Sequence, residues 1–129
     1  MNFRFLVIVL ILLIGACMDQ KTSYEYADGN ANLYLLTETQ LRYVAVVPEE
    51  SSSGSYSGGE NKTVTISTTQ FNELKKLFDH AIENPSIHIP NRIMMSGMIS
   101  QVGPNKQCII KPNCDEMIEL EKGLKKVLK

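Results

Sequence analysis

The stretch Lys62-Thr-Val-Thr-Ile-Ser-Thr-Thr-Gln-Phe-Asn-Glu-Leu-Lys-Lys-Leu-Phe-Asp-His-Ala-Ile-Glu-Asn-Pro85 decides the fold class, because its hydrophobic period changes part of the way along. Threonine alternates with valine and isoleucine over residues 62–67, which predicts a half-buried strand. From Phe71 onward the apolar residues recur at intervals of three and four, which predicts a helix. Ser67 and Gln70 stand three residues apart at the junction and predict a capping box. A strand therefore leads directly into a helix.

The same signals predict further elements on both sides of this stretch. In chain order they are a turn at Asp28-Gly29-Asn30, a hairpin of Leu33–Thr37 and Leu41–Val47, an extended link at Ile87–Pro90, a long strand at Arg92–Val102, its partner at Gln107–Ile110, and a last helix at Asp115–Leu128. This order of elements favours a single small α+β domain over residues 24–129. We expect an antiparallel sheet of about four or five strands, with two helices packed on one face.

The charges and motifs exclude several classes of function. Thirteen basic and fourteen acidic side chains give a net charge of −1 over 129 residues, so a nucleic-acid binder built on a basic face is not expected. No nucleophile elbow or phosphate-binding glycine loop occurs, so we predict no catalytic residue and no cofactor. His80 and His88 lack further ligands at matched spacing, so no metal site is predicted. The methionines within the predicted strand Arg92–Val102 are expected to fill the core and one half-exposed face.

The N-terminal segment points to export. Twelve apolar residues, 5–16, follow a single positive charge at Arg4. A membrane-spanning helix needs about 20 such residues, so this segment suits the hydrophobic region of a signal peptide. It ends in Ile14-Gly15-Ala16-Cys17, that is, an aliphatic residue, two small residues and a cysteine. In this order the segment resembles the lipobox of a bacterial lipoprotein precursor.

That resemblance implies a location and a modification. A signal peptide over residues 1–16 would be removed, and Cys17 would carry a diacylglyceryl thioether with fatty acids such as palmitate. Residues 17–23 would then be the lipidated cysteine and a short tether, which reaches about 20 Å at most. The expected place is the extracytoplasmic side of a bacterial cell envelope, anchored to the inner or the outer membrane through the lipid.

Assigning Cys17 to lipid leaves an even pair of cysteines. Cys108 and Cys114 frame a turn-forming Pro112-Asn113, and an exported protein meets an oxidising compartment. A disulfide between them is therefore the first expectation. Two free thiols, one of them reactive, or a metal-binding pair are the alternatives.

The segment 49–60 is a loop by composition, with five serines, three glycines and one tyrosine. It is either a flexible connection or a binding element, and the binding candidates are Ser55, Tyr56, Gly58 and Gly59. The preferred function is non-catalytic binding of an envelope protein. An accessory or protease-inhibitor-like subunit acting through this loop is the second hypothesis, and a small enzyme is the third.

Overall fold

A computed structural model of the chain describes residues 21–129. The predicted signal peptide 1–16, the predicted lipid-bearing Cys17 and most of the tether lie outside the described residues. The elements are, in chain order, β1 (Ser23–Ala27), β2 (Leu33–Leu36), β3 (Gln40–Val44), a 3₁₀ turn (Pro48–Glu50), β4 (Lys62–Thr65), α1 (Thr68–Glu83), a second 3₁₀ turn (Pro85–Ile87), β5 (His88–Ile89), β6 (Gly97–Val102), β7 (Lys106–Ile110) and α2 (Asp115–Leu128).

All seven strands form one sheet in the order β4-β3-β2-β1-β6-β7-β5, and every neighbouring pair is antiparallel. The α+β class and the antiparallel sheet are thus confirmed, whereas the expected number of four or five strands is wrong. The two unexpected strands are β1 and β5. In β1, Tyr24 and Tyr26 point into the core while Glu25 is exposed, so its apolar face consists of tyrosines. Strand β5 has only two residues and sits at the sheet edge.

The prediction of one long strand over Arg92–Val102 is wrong for its first half, because β6 begins only at Gly97. Met95 has a left-handed backbone with φ of 64°, which a strand cannot accommodate. The Ser96 hydroxyl accepts a hydrogen bond from the Ile93 amide at 3.0 Å and donates one to the Ile93 carbonyl at 2.7 Å. These bonds close a turn, so residues 92–96 leave the sheet.

The last helix has its predicted bounds, and α1 begins at the predicted capping box, because local signals define these ends. At the start of α1 the Ser67 hydroxyl accepts from the Gln70 amide and the Gln70 side chain accepts from the Ser67 amide, so the predicted capping box is confirmed. Asn84 follows the helix, and its side chain accepts from the Ser86 amide in the second 3₁₀ turn. In α2, Asp115 and Glu116 lie in the first turn and Lys125 and Lys126 in the last, and these charges interact favourably with the helix dipole.

Both helices cover the same face of the sheet. Tyr24 donates a hydrogen bond to Asp79 of α1 at 2.6 Å, and Tyr26, two residues further along β1, donates to Glu121 of α2 at 2.7 Å. Burial, with the Asp79 carboxylate, raises the pKa of Tyr24 to about 12. The core between sheet and helices is built around the fully buried side chains Tyr24, Tyr26, Leu36, Leu41, Leu74, Phe78, Ile99, Ile110, Leu120 and Leu124. The opposite face of the sheet carries no helix among the described residues.

Candidate functional site: the loop end of the sheet

Three connecting segments meet at one end of the sheet. The register pairs Ala27 with Leu33 and with Met98, and it pairs Leu33 with Val44. The β1–β2 turn at residues 28–32, the loop 45–61 after β3 and the segment 90–96 before β6 therefore share this end, which we call the loop end. The candidate residues predicted in the loop 49–60 all lie here.

The β1–β2 turn is the centre of the loop end, and the predicted turn at Asp28-Gly29-Asn30 is confirmed. The Asp28 carboxylate accepts from the amides of Asn30 and Asn32, both at 2.9 Å, and from the Asn32 side-chain amide at 2.9 Å. Asn32 is 3% exposed, and its side-chain oxygen Oδ1 accepts a hydrogen bond from the Val46 amide at 3.0 Å. Such a closed network of buried polar groups fixes one geometry, because any lost partner leaves a buried group unsatisfied.

The loop 45–61 is held by hydrogen bonds to this turn, to β3 and within the loop itself. Tyr56, near the loop tip, accepts a hydrogen bond through its hydroxyl from the Asn32 side-chain amide at 3.2 Å. Tyr43 donates to the Gly58 carbonyl at 2.7 Å, and the Asn61 side chain accepts from the Ala45 amide at 2.9 Å. The loop is therefore a hydrogen-bonded structure, and this differs from a free flexible connection.

The predicted binding residues in this loop have different environments. Tyr56 keeps 37% of its surface exposed, and Ser55 is exposed beside it. Gly59 is exposed, with a left-handed φ of 93° and open space around its Cα. Gly58 has no room for a side chain, since a Cβ there would lie 1.9 Å from the Asn32 side-chain oxygen. Internal packing therefore requires glycine at position 58, and a partner contact at Gly58 stays a prediction.

The segment 90–96 packs against the other side of the turn. A Cβ at Gly29 would lie 2.8 Å from the Met95 Cα, so these two backbones touch, and Arg92 donates to the Asp28 carbonyl at 3.4 Å. Ile93 and Met94 project outward, and Met94 is 87% exposed. The methionines were predicted to fill the core and one half-exposed strand face, and Met94 lies in neither because residues 92–96 leave the strand. A signal for this loop was present in the bounding pairs Pro90-Asn91 and Ser96-Gly97, which are turn-forming dipeptides.

The cysteine pair lies on β7 and at the start of α2. Cys114 is the buried residue that precedes the first turn of α2, and Cys108 is half-buried on β7. Both thiols are free, so the disulfide expected between them is not present in the structure. Burial raises the pKa of the Cys108 thiol, which disfavours its reactive thiolate form. Cys17 lies outside the described residues.

The histidines are used locally. The ring Nε2 of His88 lies 2.8 Å from the Ala81 carbonyl, to which it donates a proton. His80 is exposed, and its Nε2 is 3.8 Å from the Glu116 carboxylate. Hydrogen bonds from the Glu116 backbone amide and from Asn84 lower the pKa of the Glu116 carboxyl. Within residues 21–129 no three histidine, cysteine or acidic side chains are grouped to hold a metal ion.

The loop end combines a hydrogen-bonded polar network in its interior with exposed side chains around it. Its buried polar groups, above all Asp28 and Asn32, have their hydrogen bonds within the protein. Its exposed groups include apolar side chains, serine hydroxyls and the carboxylates of Glu49, Glu50 and Glu60. No helix within residues 21–129 is long and apolar enough to cross a membrane. The chain matches no protein-family model, no curated protein and no solved structure.

Proposed function

We propose that the protein is a lipid-anchored component of a bacterial cell envelope that binds a protein partner through the loop end, without catalysing a reaction. The partner presents an apolar patch beside basic groups. The lipid on Cys17 holds the domain at the membrane, and the loop end is its contact surface.

The distribution of exposed apolar side chains carries the proposal. Seven large hydrophobic side chains are exposed among the described residues, and five of them lie in two segments of the loop end. These five are Val47, Tyr56, Ile93, Met94 and Met95. Isolated exposed apolar residues are normal on any protein, whereas a cluster marks an interaction surface. Tyrosine and methionine are also enriched in protein interfaces.

The charges near this cluster favour a partner with basic groups. The loop 45–61 contains Glu49, Glu50 and Glu60, all exposed, and Lys and Arg are absent between residues 45 and 61. The segment 90–96 adds one exposed cation, Arg92, so the acids outnumber it three to one. Opposite charges across the rim of an interface speed association and exclude wrong partners. The apolar cluster thus adjoins an acidic rim.

The direction of β1 supports a contact surface that faces away from the membrane. The strand begins at Ser23, next to the proposed tether, and ends at Ala27, beside the turn of the loop end. Five residues of strand span about 16 Å. An anchor at Cys17 would therefore enter the domain at the end opposite the contact surface.

A photo-crosslinking experiment tests the contact surface. Benzoyl-phenylalanine replaces Met94 in one variant and Val102 in the other, because Val102 is another exposed apolar residue and lies at the far end of β6. In intact envelopes we expect position 94 to crosslink a discrete protein and position 102 not to do so. Equal crosslinking at both positions, or none at position 94, contradicts the proposal.

A second experiment tests the anchor separately. Cells grown with a clickable fatty acid are expected to label the wild-type protein but not the Cys17→Ser variant. Cys108→Ser is the matched control and should keep the label. Persistent labelling of Cys17→Ser would remove the lipid anchor while leaving the contact surface untouched.

The second hypothesis, an inhibitor-like or accessory role of the loop 49–60, is favoured by one observation. The loop is braced by hydrogen bonds, and binding loops that are rigid before contact lose less entropy on binding. It predicts that Tyr56→Ala alone abolishes partner capture while Met94→Ser has no effect. If Met94→Ser also abolishes partner capture, contact through the whole loop end is favoured.

A further inference from the structure

A cleft of about 450 Å³ lies where the last turn of α2 passes over β2, β3 and the start of β4. Its apolar floor is formed by Tyr34, Tyr43 and Leu128. The rings of Tyr34 and Tyr43 have centroids 5.0 Å apart and planes tilted by 50°. Small-molecule sites usually have volumes of about 300–1,000 Å³ and are mostly apolar, with a few directed polar groups. In size and lining the cleft has this character.

One hydroxyl in the cleft has no hydrogen-bond partner among the described residues. Tyr26, Tyr34 and Tyr43 form a cross-strand row, and the outer two hydroxyls donate to Glu121 and to the Gly58 carbonyl. Tyr34 is only 3% exposed as a residue, but none of the described side-chain polar atoms is both fully buried and without a hydrogen-bond partner. The Tyr34 hydroxyl bonds to no described residue, so it keeps access to the cleft that the residue lines and is available to a ligand. Burial raises the pKa of Tyr34, so the hydroxyl keeps its proton at neutral pH.

The mouth of the cleft is positively charged. Lys62, Lys125 and Lys129 line it together with one acid, Glu60, although the whole chain has a net charge of −1. Lys125 also lies 3.5 Å from the Glu121 carboxylate, so part of its charge is balanced within the protein. Lysines near a helix C-terminus favour the helix dipole, which accounts for the two on α2 or just after it. The helix dipole does not account for Lys62, because this residue lies on β4, from where it donates a hydrogen bond to the Leu128 carbonyl.

From this arrangement we propose that the cleft binds a small organic anion that has a planar apolar body. The body packs on Tyr43 and Leu128, and the anionic group accepts a hydrogen bond from Tyr34 and attracts the ammonium groups of Lys125 and Lys129. This function goes beyond the proposed contact at the loop end and does not depend on it. No bond forms or breaks.

Two fluorescent probes of the same shape test the proposal. 8-Anilinonaphthalene-1-sulfonate carries an anionic group on a planar apolar body, and N-phenyl-1-naphthylamine has the same body without the charge. We expect the folded full-length protein to bind the sulfonate with 1:1 stoichiometry and at least tenfold more tightly than the neutral probe. The two-dimensional NMR signals of Tyr34, Tyr43 and Leu128 should shift on titration.

Three variants locate the site. Tyr34→Phe removes one hydrogen bond to an anion and should weaken sulfonate binding about tenfold, with no effect on the neutral probe. Because this hydroxyl bonds to no described residue, the variant should fold as stably as the wild type. Lys125→Gln should weaken binding of the sulfonate about threefold, and Lys126→Gln, one residue along the same helix but outside the cleft, should not.

Two outcomes would overturn the proposal. The first is unchanged sulfonate affinity in Tyr34→Phe, which would mean that the hydroxyl does not face the ligand. The second is an equal loss in Lys125→Gln and Lys126→Gln, which would indicate a diffuse basic surface of the kind that an anionic membrane attracts.

Discussion

The loop 45–61 and the segment 90–96 lie at the same end of the sheet and flank the same turn, but they are held in opposite ways. In the loop, the Tyr56 hydroxyl bonds back to Asn32 and the Gly58 carbonyl accepts a hydrogen bond from Tyr43. In the segment, the backbone is fixed by Ser96 and by the contact of Met95 with Gly29, while Met94 projects into solvent. The loop rich in serine and glycine is therefore held by hydrogen bonds, whereas the apolar run Ile-Met-Met is exposed. Composition limits which backbone conformations a segment can adopt, but contacts with neighbouring segments determine whether each side chain is buried.

The largest expected effect concerns the residue that fastens the loop to the turn. Asn32→Ala removes the side-chain partner of the Val46 amide, of Asp28 and of Tyr56, and should lower the free energy of unfolding by about 3 kcal/mol. Chemical denaturation at neutral pH measures it. Asn30→Ala, two residues away and exposed, is the matched control and should change the free energy by less than about 0.5 kcal/mol. Similar values for the two variants would show that the loop is not fastened at Asn32.

A second prediction tests whether the loop is packed or open. In Gly58→Ala the new Cβ would overlap the Asn32 side-chain oxygen and crowd the Tyr43 hydroxyl, so we expect a loss of about 2 kcal/mol in the free energy of unfolding. Ser52→Ala, exposed in the same loop, should leave it within about 0.5 kcal/mol of wild type. A flexible loop would tolerate both changes alike.

The third prediction applies the same comparison to the segment. Ser96→Ala removes both hydroxyl hydrogen bonds to Ile93 but keeps the backbone one, and it should cost about 1 kcal/mol of folding stability. Met94→Ala should cost close to nothing because its side chain is exposed. Denaturation midpoints of the two variants give the answer. If Met94→Ala destabilised the protein as much as Ser96→Ala, Met94 would be packed and the contact surface proposed at the loop end would lose its most exposed residue.

The parts of the fold that the sequence predicted well are those with local signals. Helix α1 has its capping box at Ser67, and the last helix begins at Asp115 with acids and ends with lysines, so their limits need no knowledge of the sheet. Strand β1 was missed because tyrosines form its buried face, and their hydroxyls find Asp79 and Glu121 only once both helices are packed. Propensity within a short window contains no information on such distant partners.

The candidate site shows the same limit at the level of single residues. The loop 49–60 and Tyr56 were predicted from composition, but the role of Gly58 depends on Asn32, which is distant in the sequence. Met94 was placed in a strand because Ile-Met-Met fits a strand as well as a loop. Its exposure follows from the left-handed backbone of Met95 and from the Ser96 turn. The cleft beside Tyr34 requires three strands and a helix to meet, which no single segment indicates.

The smallest expected effect is a difference between the loop 45–61 and the segment 90–96 in how the stability of each depends on pH. Burial raises the pKa of Tyr43 above its ordinary value of 10.0, and its hydroxyl donates to Gly58, whereas the segment 90–96 is held by a serine that does not ionise. Above pH 10 the unfolded chain loses this proton before the folded protein does, so stability falls as pH rises. Tyr43→Phe should therefore reduce the slope of unfolding free energy against pH between 10 and 11 by a fraction of one proton.

The control for this slope is Ser96→Ala, which should be less stable at every pH and keep the wild-type slope. The other buried tyrosines, including Tyr24 with its pKa of about 12, contribute equally in both variants and cancel from the comparison. An unchanged slope in Tyr43→Phe would mean that the Tyr43 hydroxyl ionises alike in the folded and unfolded chains. It would then be open to solvent and would not hold Gly58, leaving the loop fastened through Asn32 alone.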